Sequence, residues 1–281
     1  MAEIIDGKAI AAKIKSELLL RATEFEKTHG RKIGLAVVRV GDDPASAVYV
    51  RNKIKACDAC NVNSFGYELD ENTTTDRLVN LVNKLNADSA VDGILVQLPL
   101  PKHIDERAVL SAISPNKDAD GFTAVNAGKL FLGEGGGSVP CTPRGIIQLI
   151  KSTGVPIAGK RAVVVGRSNI VGKPIAALLL ANDATVTVCH SRTQNLKEIT
   201  LSADILVVAV GKPNFITADM VKRGAVVIDV GMNRDQNGLC GDVDFAGVKE
   251  IAGYITPVPG GVGPMTVAML LSNTVDGAFN E

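Results

Sequence analysis

The sequence predicts an α/β protein with two α/β domains around a cleft, and three observations lead to this. Apolar, strand-like runs alternate with helical runs in both halves of the 281-residue chain. This alternation is typical of parallel sheets with helices on their faces. The alternation breaks across residues 114–140, which hold turns and the triple glycine 135–137. A second series then begins at Arg161, where an apolar run ends in glycine. The length also allows two medium domains.

The first half is predicted to contain an N-terminal helix followed by three strand–helix pairs. The predicted strands are apolar runs of suitable length, at residues 32–41, 63–70 and 91–101. The predicted helices are residues 44–61, 73–86 and 105–113. Pro44 stands at the start of its helix, where a missing N–H costs nothing.

The second half is predicted to begin with a helix after residue 140. Thr142 is its expected N-cap, Pro143 its first helical residue and Gly154 its stop. The strands that follow are predicted at residues 161–166, 184–190, 204–211 and 225–231. The helices are predicted at residues 171–182, 196–204 and 217–224, with a last one from about Met265. The predicted domains are therefore residues 1–140 with 265–281, and residues 141–264.

Composition excludes several classes of protein. Lys plus Arg and Asp plus Glu number 30 each, so no excess positive charge is present to bind nucleic acid. The apolar runs all fall well short of the roughly 20 residues that span a bilayer, so no membrane association is expected. Five cysteines, an odd number, favour a reducing compartment. Cys57 and Cys60 form C-x-x-C, which we interpret as two small helix residues rather than a redox pair or half a zinc site.

The stretch VVVGRSNIVGKP (163–174) resembles a dinucleotide loop in which Ser168 replaces the second glycine. It follows an apolar strand and opens a helix, whose N-terminus suits an anion. This context predicts a Rossmann-type domain, although a tight turn without a ligand stays an alternative. The next strand ends in CHSRT, without the acid that commonly binds the ribose of NAD. Arg167 and Arg192 favour NADP, unless Arg192 is only a solvated charge.

Polar side chains in the first half are candidates for chemistry. Tyr49 and Lys53 lie one helical turn apart and share a face. Short-chain dehydrogenases also use Y-x-x-x-K, but they place it after the nucleotide loop, and here it precedes the loop. Gln97 stands at the C-terminal end of a strand, where α/β sheets bind ligands. Asp120 follows in DADGF, where an ordinary turn is the alternative.

A Pro/Gly-rich stretch, TPVPGGVGPMT (256–266), completes the set of motifs. Its prolines stiffen the backbone and its glycines allow close approach, which favours a ligand cradle. Together with YVRNK, VQLPLP, DADGF, GRSNIVGKP and CHSRT, it resembles the family of bifunctional methylenetetrahydrofolate dehydrogenase/methenyltetrahydrofolate cyclohydrolases, the FolD family. The resemblance covers essentially the whole chain. Alternatives are a dehydrogenase-only relative, another NADP oxidoreductase and a catalytically silent nucleotide-binding regulator.

The resemblance implies two reactions in one cleft: NADP-dependent oxidation of 5,10-methylenetetrahydrofolate to the methenyl cation, and hydrolysis of that cation to 10-formyltetrahydrofolate. It implies Lys53, Tyr49, Gln97 and Asp120 as catalytic residues. The implied substrate-binding residues are Tyr49, Lys53, Val96, Gln97, Leu98, Asp120, Pro259, Gly260, Gly261, Val262 and Gly263. The implied NADP-binding residues are Gly166, Arg167, Ser168, Ile170, Ser191, Arg192 and Met232.

The same resemblance implies a homodimer that acts on tetrahydrofolate derivatives in cytoplasmic one-carbon metabolism and purine biosynthesis. No metal is expected, since the sequence lacks a His/Cys cluster. The chain departs from the common pattern at Ala119 and Met232, where valine and isoleucine are usual, and neither change is expected to alter the chemistry.

Overall fold

The computed structural model describes residues 1–236 and 238–280, and of residues 44–48 and 235 it describes the backbone alone. The chain forms two compact units. One comprises Lys13–Val139 and the chain from Val267 onward, and the other comprises Met1–Ala12 and Pro140–Thr266. After their main sheets we call them the three-stranded unit and the six-stranded unit. Among the helices that the structure describes, none combines the length and apolar character needed to cross a bilayer.

Strands and helices alternate along much of the chain. The strands are β1 (Glu3–Ile4), β2 (Ile33–Val40), β3 (Val62–Leu69), β4 (Gly93–Val96), β5 (Arg161–Val165), β6 (Thr185–Cys189), β7 (Ile205–Val208), β8 (Val226–Asp229), β9 (Asn233–Asp235), β10 (Gly238–Cys240) and β11 (Tyr254–Ile255). The helices are α1 (Gly7–His29), α2 (Pro44–Ala59), α3 (Thr75–Ala87), α4 (Glu106–Ala112), α5 (Ala124–Leu132), α6 (Cys141–Ser152), α7 (Gly172–Ala181), α8 (Leu196–Leu201), α9 (Phe245–Lys249) and α10 (Val262–Phe279). A 3₁₀ turn covers Ala218–Met220.

The three-stranded unit has a parallel sheet in the order β3-β2-β4. Its central strand β2 is almost wholly buried, as a parallel strand covered on both faces must be. Apolar residues of α3 and α4, among them Leu78, Val82 and Val109, pack with β2 and β4 in one core. Because β2 and β4 are parallel, their C-terminal ends share one edge, and there the Gln97 N–H donates to the Val38 carbonyl at 2.8 Å.

The six-stranded unit has a fully parallel sheet in the order β1-β11-β8-β7-β5-β6. The chain runs from β5 outward to β6 and then returns to β7 on the other side of β5. This reversal creates a switch point at the C-terminal end of β5, where open α/β sheets bind their ligands. The predicted α/β class is confirmed.

The sequence assigned residues 1–140 to the first domain, and the compact units differ from this at the N-terminus. β1 pairs with β11, with Glu3 opposite Tyr254, so the first twelve residues lie in the six-stranded unit. A two-residue strand carries no usable periodicity, and only its long-range pairing reveals it. The last helix begins at Val262, three residues before the predicted start at Met265.

The predicted cap of the helix after residue 140 was wrong. α6 begins at Cys141, so Thr142 and Pro143 lie inside its first turn, and Pro140 precedes it without a side-chain cap. The Thr142 hydroxyl instead pairs with the hydroxyl of Thr266 at 2.9 Å, so a tertiary contact takes the place of a local cap. Gly154, with φ +74°, follows the helix in the expected left-handed conformation.

Short elements of the second half also differ from the prediction. The segment 217–224 was predicted as a helix and contains only the 3₁₀ turn. The antiparallel pair β9–β10 and the helix α9 were not predicted. Each has five residues or fewer, which is too short to display a helical or strand period.

Asp92 links the start of β4 to β2, and its loss should destabilise the unit. Its buried carboxylate accepts two hydrogen bonds from Arg31, at 2.7 and 2.8 Å, and one from the Gly34 N–H at 2.7 Å. Breaking a buried ion pair costs about 3–5 kcal/mol, but Arg31 is 35% exposed and can rehydrate. We therefore expect Asp92→Ala to lower the free energy of unfolding by about 2 kcal/mol in urea titrations. Asp58→Ala, at an exposed position, is the control, and equal midpoints for both variants would contradict this expectation.

Candidate active site

Lys53 and Gln97 meet at the C-terminal edge of the three-stranded sheet. Lys53 lies on α2 and Gln97 directly follows β4. The Lys53 ammonium donates to Gln97 Oε1 at 2.9 Å, and Gln97 Nε2 donates to the Leu98 carbonyl at 2.7 Å. Because the amide nitrogen is engaged, the amide oxygen is held toward the lysine. Both side chains are half-buried, so the pair is partly shielded while remaining open to a ligand.

Three further predicted residues lie near this pair along the chain: Tyr49 precedes Lys53, and Val96 and Leu98 flank Gln97. Tyr49 stands one turn before Lys53 on α2 and is 42% exposed. Leu98 is half-buried. Val96 is 1% exposed and packs in the core, so its side chain supports the site from beneath.

Asp118 organises the segment that carries Asp120. Its buried carboxylate accepts hydrogen bonds from the backbone N–H groups of Gly121, Phe122 and Thr123, at 2.8–3.1 Å, and from Asn126 Nδ2 at 3.0 Å. Asp118 is thus a structural residue whose four donors satisfy its charge.

Asp120 is the carboxyl of this segment whose pKa differs clearly from the ordinary value of an aspartate. Burial raises its pKa from 3.8 to about 6; the positive charge of Lys53 opposes this rise and the negative charge of Asp118 reinforces it. A carboxyl with this pKa can exchange a proton near neutral pH, a property frequent at functional sites.

Asn273 also supports this segment and was missed by the sequence analysis. Its buried side chain on α10 donates to the carbonyls of Ala119, at 2.9 Å, and Val139, at 2.8 Å. The first of these carbonyls belongs to the residue before Asp120. Sequence could not reveal this contact because 154 positions separate the partners.

The nucleotide loop connects β5 to α7 in the six-stranded unit. Gly166 has φ +127°, and a Cβ there would lie 2.2 Å from the Ala209 carbonyl oxygen, so glycine is required. A Cβ on Gly172 would lie 2.3 Å from the Gly166 oxygen. Ser168 Oγ accepts hydrogen bonds from the N–H groups of Val171 and Gly172, at 3.2 and 3.3 Å. The serine that replaces the second glycine therefore closes the turn into α7, and its own O–H can still donate.

The remaining residues predicted to bind NADP lie at exposed positions. Arg167, Ile170, Ser191 and Arg192 are exposed, the last two in the turn after β6. That turn is held by Thr193 Oγ1, which accepts the His190 N–H at 2.8 Å, and by His190 Nδ1, which accepts the Arg192 N–H at 3.2 Å. Exposed arginines at the C-terminal ends of β5 and β6 suit a phosphate.

The segment 256–263 is held tightly by backbone contacts. Gly260 has φ +108°, and a Cβ on Gly261 would lie 2.6 Å from the Pro257 oxygen. Pro259 follows a cis peptide bond. Val262 and Gly263 are in the first turn of α10, and Met232, 48% exposed, approaches to 3.4 Å from where a Gly263 Cβ would stand.

Two buried carboxylates were not predicted, Asp229 at the end of β8 and Asp242 after β10. Asp229 accepts hydrogen bonds from the N–H groups of Gly231 and Asp242, both at 2.9 Å, and of Val243 at 3.0 Å. Burial raises the pKa of Asp229 to about 6, against the effect of these three donors and reinforced by the charge of Asp242. Both aspartates are less than 4% exposed.

The C-x-x-C cysteines are structural in character. Cys57 and Cys60 are fully buried, and burial, reinforced by the proximity of Cys60, raises the pKa of Cys57 to about 12. A thiol that stays protonated is a poor nucleophile and metal ligand. In the residues that the structure describes, no three His, Cys, Asp or Glu side chains gather as ligands for a metal.

The parallel sheet with its glycine loop is typical of a dinucleotide-dependent enzyme, and Lys53, Gln97 and Asp120 are its candidate site residues. Comparison with known families then specifies which kind. The catalytic-domain model of tetrahydrofolate dehydrogenase/cyclohydrolase matches residues 5–120, and the corresponding NAD(P)-binding-domain model matches residues 140–281. The chain belongs to the tetrahydrofolate dehydrogenase/cyclohydrolase family.

Individual relatives agree with this assignment along the whole chain. The bifunctional protein FolD of Agathobacter rectalis is 59% identical over 277 residues, which cover 98% of this chain and 99% of the relative. The FolD crystal structure from Campylobacter jejuni has a TM-score of 0.97 and 50% identity, with 100% of this chain and 99% of that one covered. The Trypanosoma brucei FolD structure, complexed with NADP and an inhibitor, has a TM-score of 0.94 and 44% identity, with 99% and 98% covered.

The predicted family, function and cofactor are therefore confirmed. The protein is an NADP-dependent methylenetetrahydrofolate dehydrogenase and methenyltetrahydrofolate cyclohydrolase.

Proposed function

We propose that Lys53, Gln97, Asp120 and Tyr49 perform the folate chemistry, and the hydrogen bond from Lys53 to Gln97 is the observation that carries this proposal. It fixes the amine of a half-buried lysine at the ligand-binding edge of a parallel sheet. The coupled carboxyl of Asp120 supplies an acceptor for the N–H groups of a pterin edge. Tyr49, exposed on the same helix, is suited to stack on the pterin ring.

The two reactions place different demands on these residues. NADP, when bound, supplies the acceptor for the hydride that leaves the methylene carbon, which yields the 5,10-methenyl cation and NADPH. This step requires alignment and no proton transfer, so the protein's task is to hold the folate. Water then adds to the methenyl carbon, a carbon–nitrogen bond of the ring breaks, and one proton is released with 10-formyltetrahydrofolate.

Lys53 is assigned as the base of this second reaction. A methenyl cation beside an ammonium group is repelled by it, so the neutral amine is favoured when this intermediate is present. The neutral amine can then take a proton from the attacking water. Gln97 orients the amine, because its oxygen can accept a hydrogen bond from Lys53 both as the ammonium and as the neutral amine. By the family resemblance, Val96, Leu98 and the residues 259–263 are also proposed as folate contacts.

The six-stranded unit is proposed to hold NADP. Gly166 and Gly172 leave no room for a Cβ, because the loop packs against the backbone of Ala209 and against itself, which fixes the turn that opens α7. Ser168 and Ser191 offer hydroxyl groups, and Arg167 and Arg192 offer exposed charge for the 2′-phosphate. Ile170 and the backbone at Met232 complete the proposed contacts.

Replacing Arg192 should change the preference between cofactors. We expect Arg192→Ala to raise the KM for NADP about tenfold, since a charge-assisted hydrogen bond is worth about 1.5–3 kcal/mol and the site is exposed. The KM for NAD should stay within about twofold, because NAD lacks the 2′-phosphate. Initial rates of methenyl formation with each cofactor measure this. An equal rise in both KM values would exclude the assignment of Arg192 to the 2′-phosphate.

The two activities can be followed in one experiment. With 5,10-methylenetetrahydrofolate and NADP, methenyl absorbance should rise and then decay faster than in buffer alone. Decay at the buffer rate would leave a dehydrogenase without a cyclohydrolase. Repeating the experiment with NAD determines how strict the cofactor preference is.

Location and assembly are further parts of the proposal. We assign the enzyme to cytoplasmic one-carbon metabolism, where 10-formyltetrahydrofolate supplies formyl groups for purine biosynthesis, and to a homodimeric state. Sedimentation velocity of the purified chain tests the dimer, and a monomer at micromolar concentration would contradict it. No nucleic-acid or membrane partner is proposed.

A further inference from the structure

Asp242 stands out among the buried charges because its carboxylate joins two stretches of the six-stranded unit, the backbone that follows β7 and the side chain of Asn233 beyond β8. Its Oδ2 accepts the N–H groups of Val210, at 2.6 Å, and Gly211, at 2.9 Å. Its Oδ1 accepts the Lys212 N–H at 2.9 Å and Asn233 Nδ2 at 2.8 Å. The residue is 0% exposed, so solvent does not compete for these bonds.

The first stretch leads directly to the nucleotide loop. Val210–Lys212 follow β7, and the preceding Ala209 donates its N–H to the Val165 carbonyl at 2.8 Å. The Ala209 carbonyl oxygen would lie 2.2 Å from a Cβ on Gly166, so the two backbones are in close contact. A shift of the turn after β7 would therefore displace the first glycine of the loop.

The second stretch leads to Met232, on the other side of β7. Asn233 adjoins Met232, and a Cβ on Gly231 would lie 2.4 Å from Asp242 Oδ1. Asp229 in turn holds the Asp242 N–H and the Gly231 N–H, both at 2.9 Å. The carboxylate of Asp242 thus fixes the spacing between the segments that follow β7 and β8.

We propose that Asp242 is a positioning residue for NADP: its carboxylate sets the backbone after β7 and β8 against the nucleotide loop, and loss of its charge weakens cofactor binding while ring opening is retained. The proposal rests on the proposed cofactor site. Only a carboxylate offers acceptors at both oxygens to four donors. An amide of the same shape presents its own N–H groups to two of these donors, which leaves them unsatisfied in a buried site.

The isosteric variant Asp242→Asn tests this. We expect its KM and Kd for NADP to rise about tenfold, which corresponds to about 1.4 kcal/mol of binding free energy. Cyclohydrolase turnover, measured with methenyltetrahydrofolate in the absence of NADP, should stay within about twofold. The split between the two activities is what a merely structural role would not produce. The matched control is Asp244→Asn, two residues later, where the carboxylate caps α9 through the Gly247 N–H at 3.2 Å.

A milder variant covers the case in which Asp242→Asn fails to fold. Asn233→Ala removes one of the four donors and should raise the KM for NADP about threefold. An NADP KM within about twofold of the original enzyme in both variants would overturn the proposal. Equal losses of both activities in Asp242→Asn would overturn it as well.

Arg192→Ala, measured alongside, separates this proposal from the proposed cofactor site. If Arg192→Ala leaves the NADP KM unchanged while Asp242→Asn raises it, the assignment of the 2′-phosphate fails and the positioning role stands. If only Arg192→Ala raises the KM, the cofactor site stands and the positioning role fails.

Discussion

Replacing Lys53 by alanine is expected to lower the rate of methenyl ring opening about 10³-fold, since a positioned general base contributes about 10²–10⁴-fold. The amine that accepts a proton from water is lost, and Gln97 loses the partner that its oxygen holds at 2.9 Å. NADP should still bind, because the nucleotide loop lies in the six-stranded unit. The dehydrogenase should fall less than the cyclohydrolase, because hydride transfer needs alignment but no base.

The control for Lys53→Ala is Lys55→Ala. Lys55 lies two residues further along α2, is exposed and undergoes the same change of charge and helix propensity. Decay of methenyl absorbance measures ring opening, and quenching of NADPH fluorescence or calorimetry measures cofactor binding. Ring opening at the original rate in Lys53→Ala would refute the role given to this residue.

Replacing Asp120 by asparagine is expected to lower kcat/KM for the folate about 100-fold at pH 7.5, because charge-assisted hydrogen bonds are worth about 1.5–3 kcal/mol. In the original enzyme, kcat/KM should also fall about tenfold per pH unit below pH 6. The reason is that burial raises the pKa of Asp120 to about 6, so that below this pH the carboxyl is protonated and cannot accept both N–H groups of the pterin. Asp120→Asn should lack this acid limb.

The sign of the pH effect on stability distinguishes this from acid unfolding. The pKa of Asp120 is higher in the folded protein, about 6, than its ordinary value of 3.8. Protonation therefore favours the folded state, and this contribution is fully present below pH 3.8 and is lost as pH rises through 6. Activity that falls between pH 6 and 5 while the melting temperature holds would fit Asp120 as the titrating group.

A control carboxylate is available for this experiment too. Asp105→Asn changes an exposed residue that caps α4 through the Ala108 N–H at 3.1 Å, and its kcat/KM should keep the acid limb. An acid limb that persists in Asp120→Asn would show that another group titrates.

Much of the fold followed from local pattern. The long elements, such as β2 and α2, have enough residues to show an apolar strand run or a helical repeat, and both lie within two residues of their predicted ends. The elements that were missed, such as β1 and β11, have two residues each and exist because they pair across some 250 positions. Thr142 failed as a predicted cap for the same reason, since its hydroxyl is used by Thr266.

The candidate site divides in a similar way. Tyr49, Lys53, Gln97 and Asp120 were singled out as candidates from residue type and position, and the resemblance to the family implied their roles. Ser168 was predicted only as a phosphate contact, whereas it also closes the turn into α7. The two N–H groups that Ser168 Oγ accepts are only three and four residues away. Whether the hydroxyl closes the turn or contacts a ligand nevertheless depends on the geometry of the turn, which the sequence does not give.

The sequence by itself determined the family, both activities and the NADP class, since motif residues and their order are local properties that survive without coordinates. Only the tertiary structure revealed which polar residues hold the candidate sites in place. Asn273 and Asp242 act through backbone groups of other segments, and Asp120 acquires its raised pKa from burial and the charges around it. Burial and long-range hydrogen bonds depend on which segments the fold brings together, and the linear order of residues does not record that.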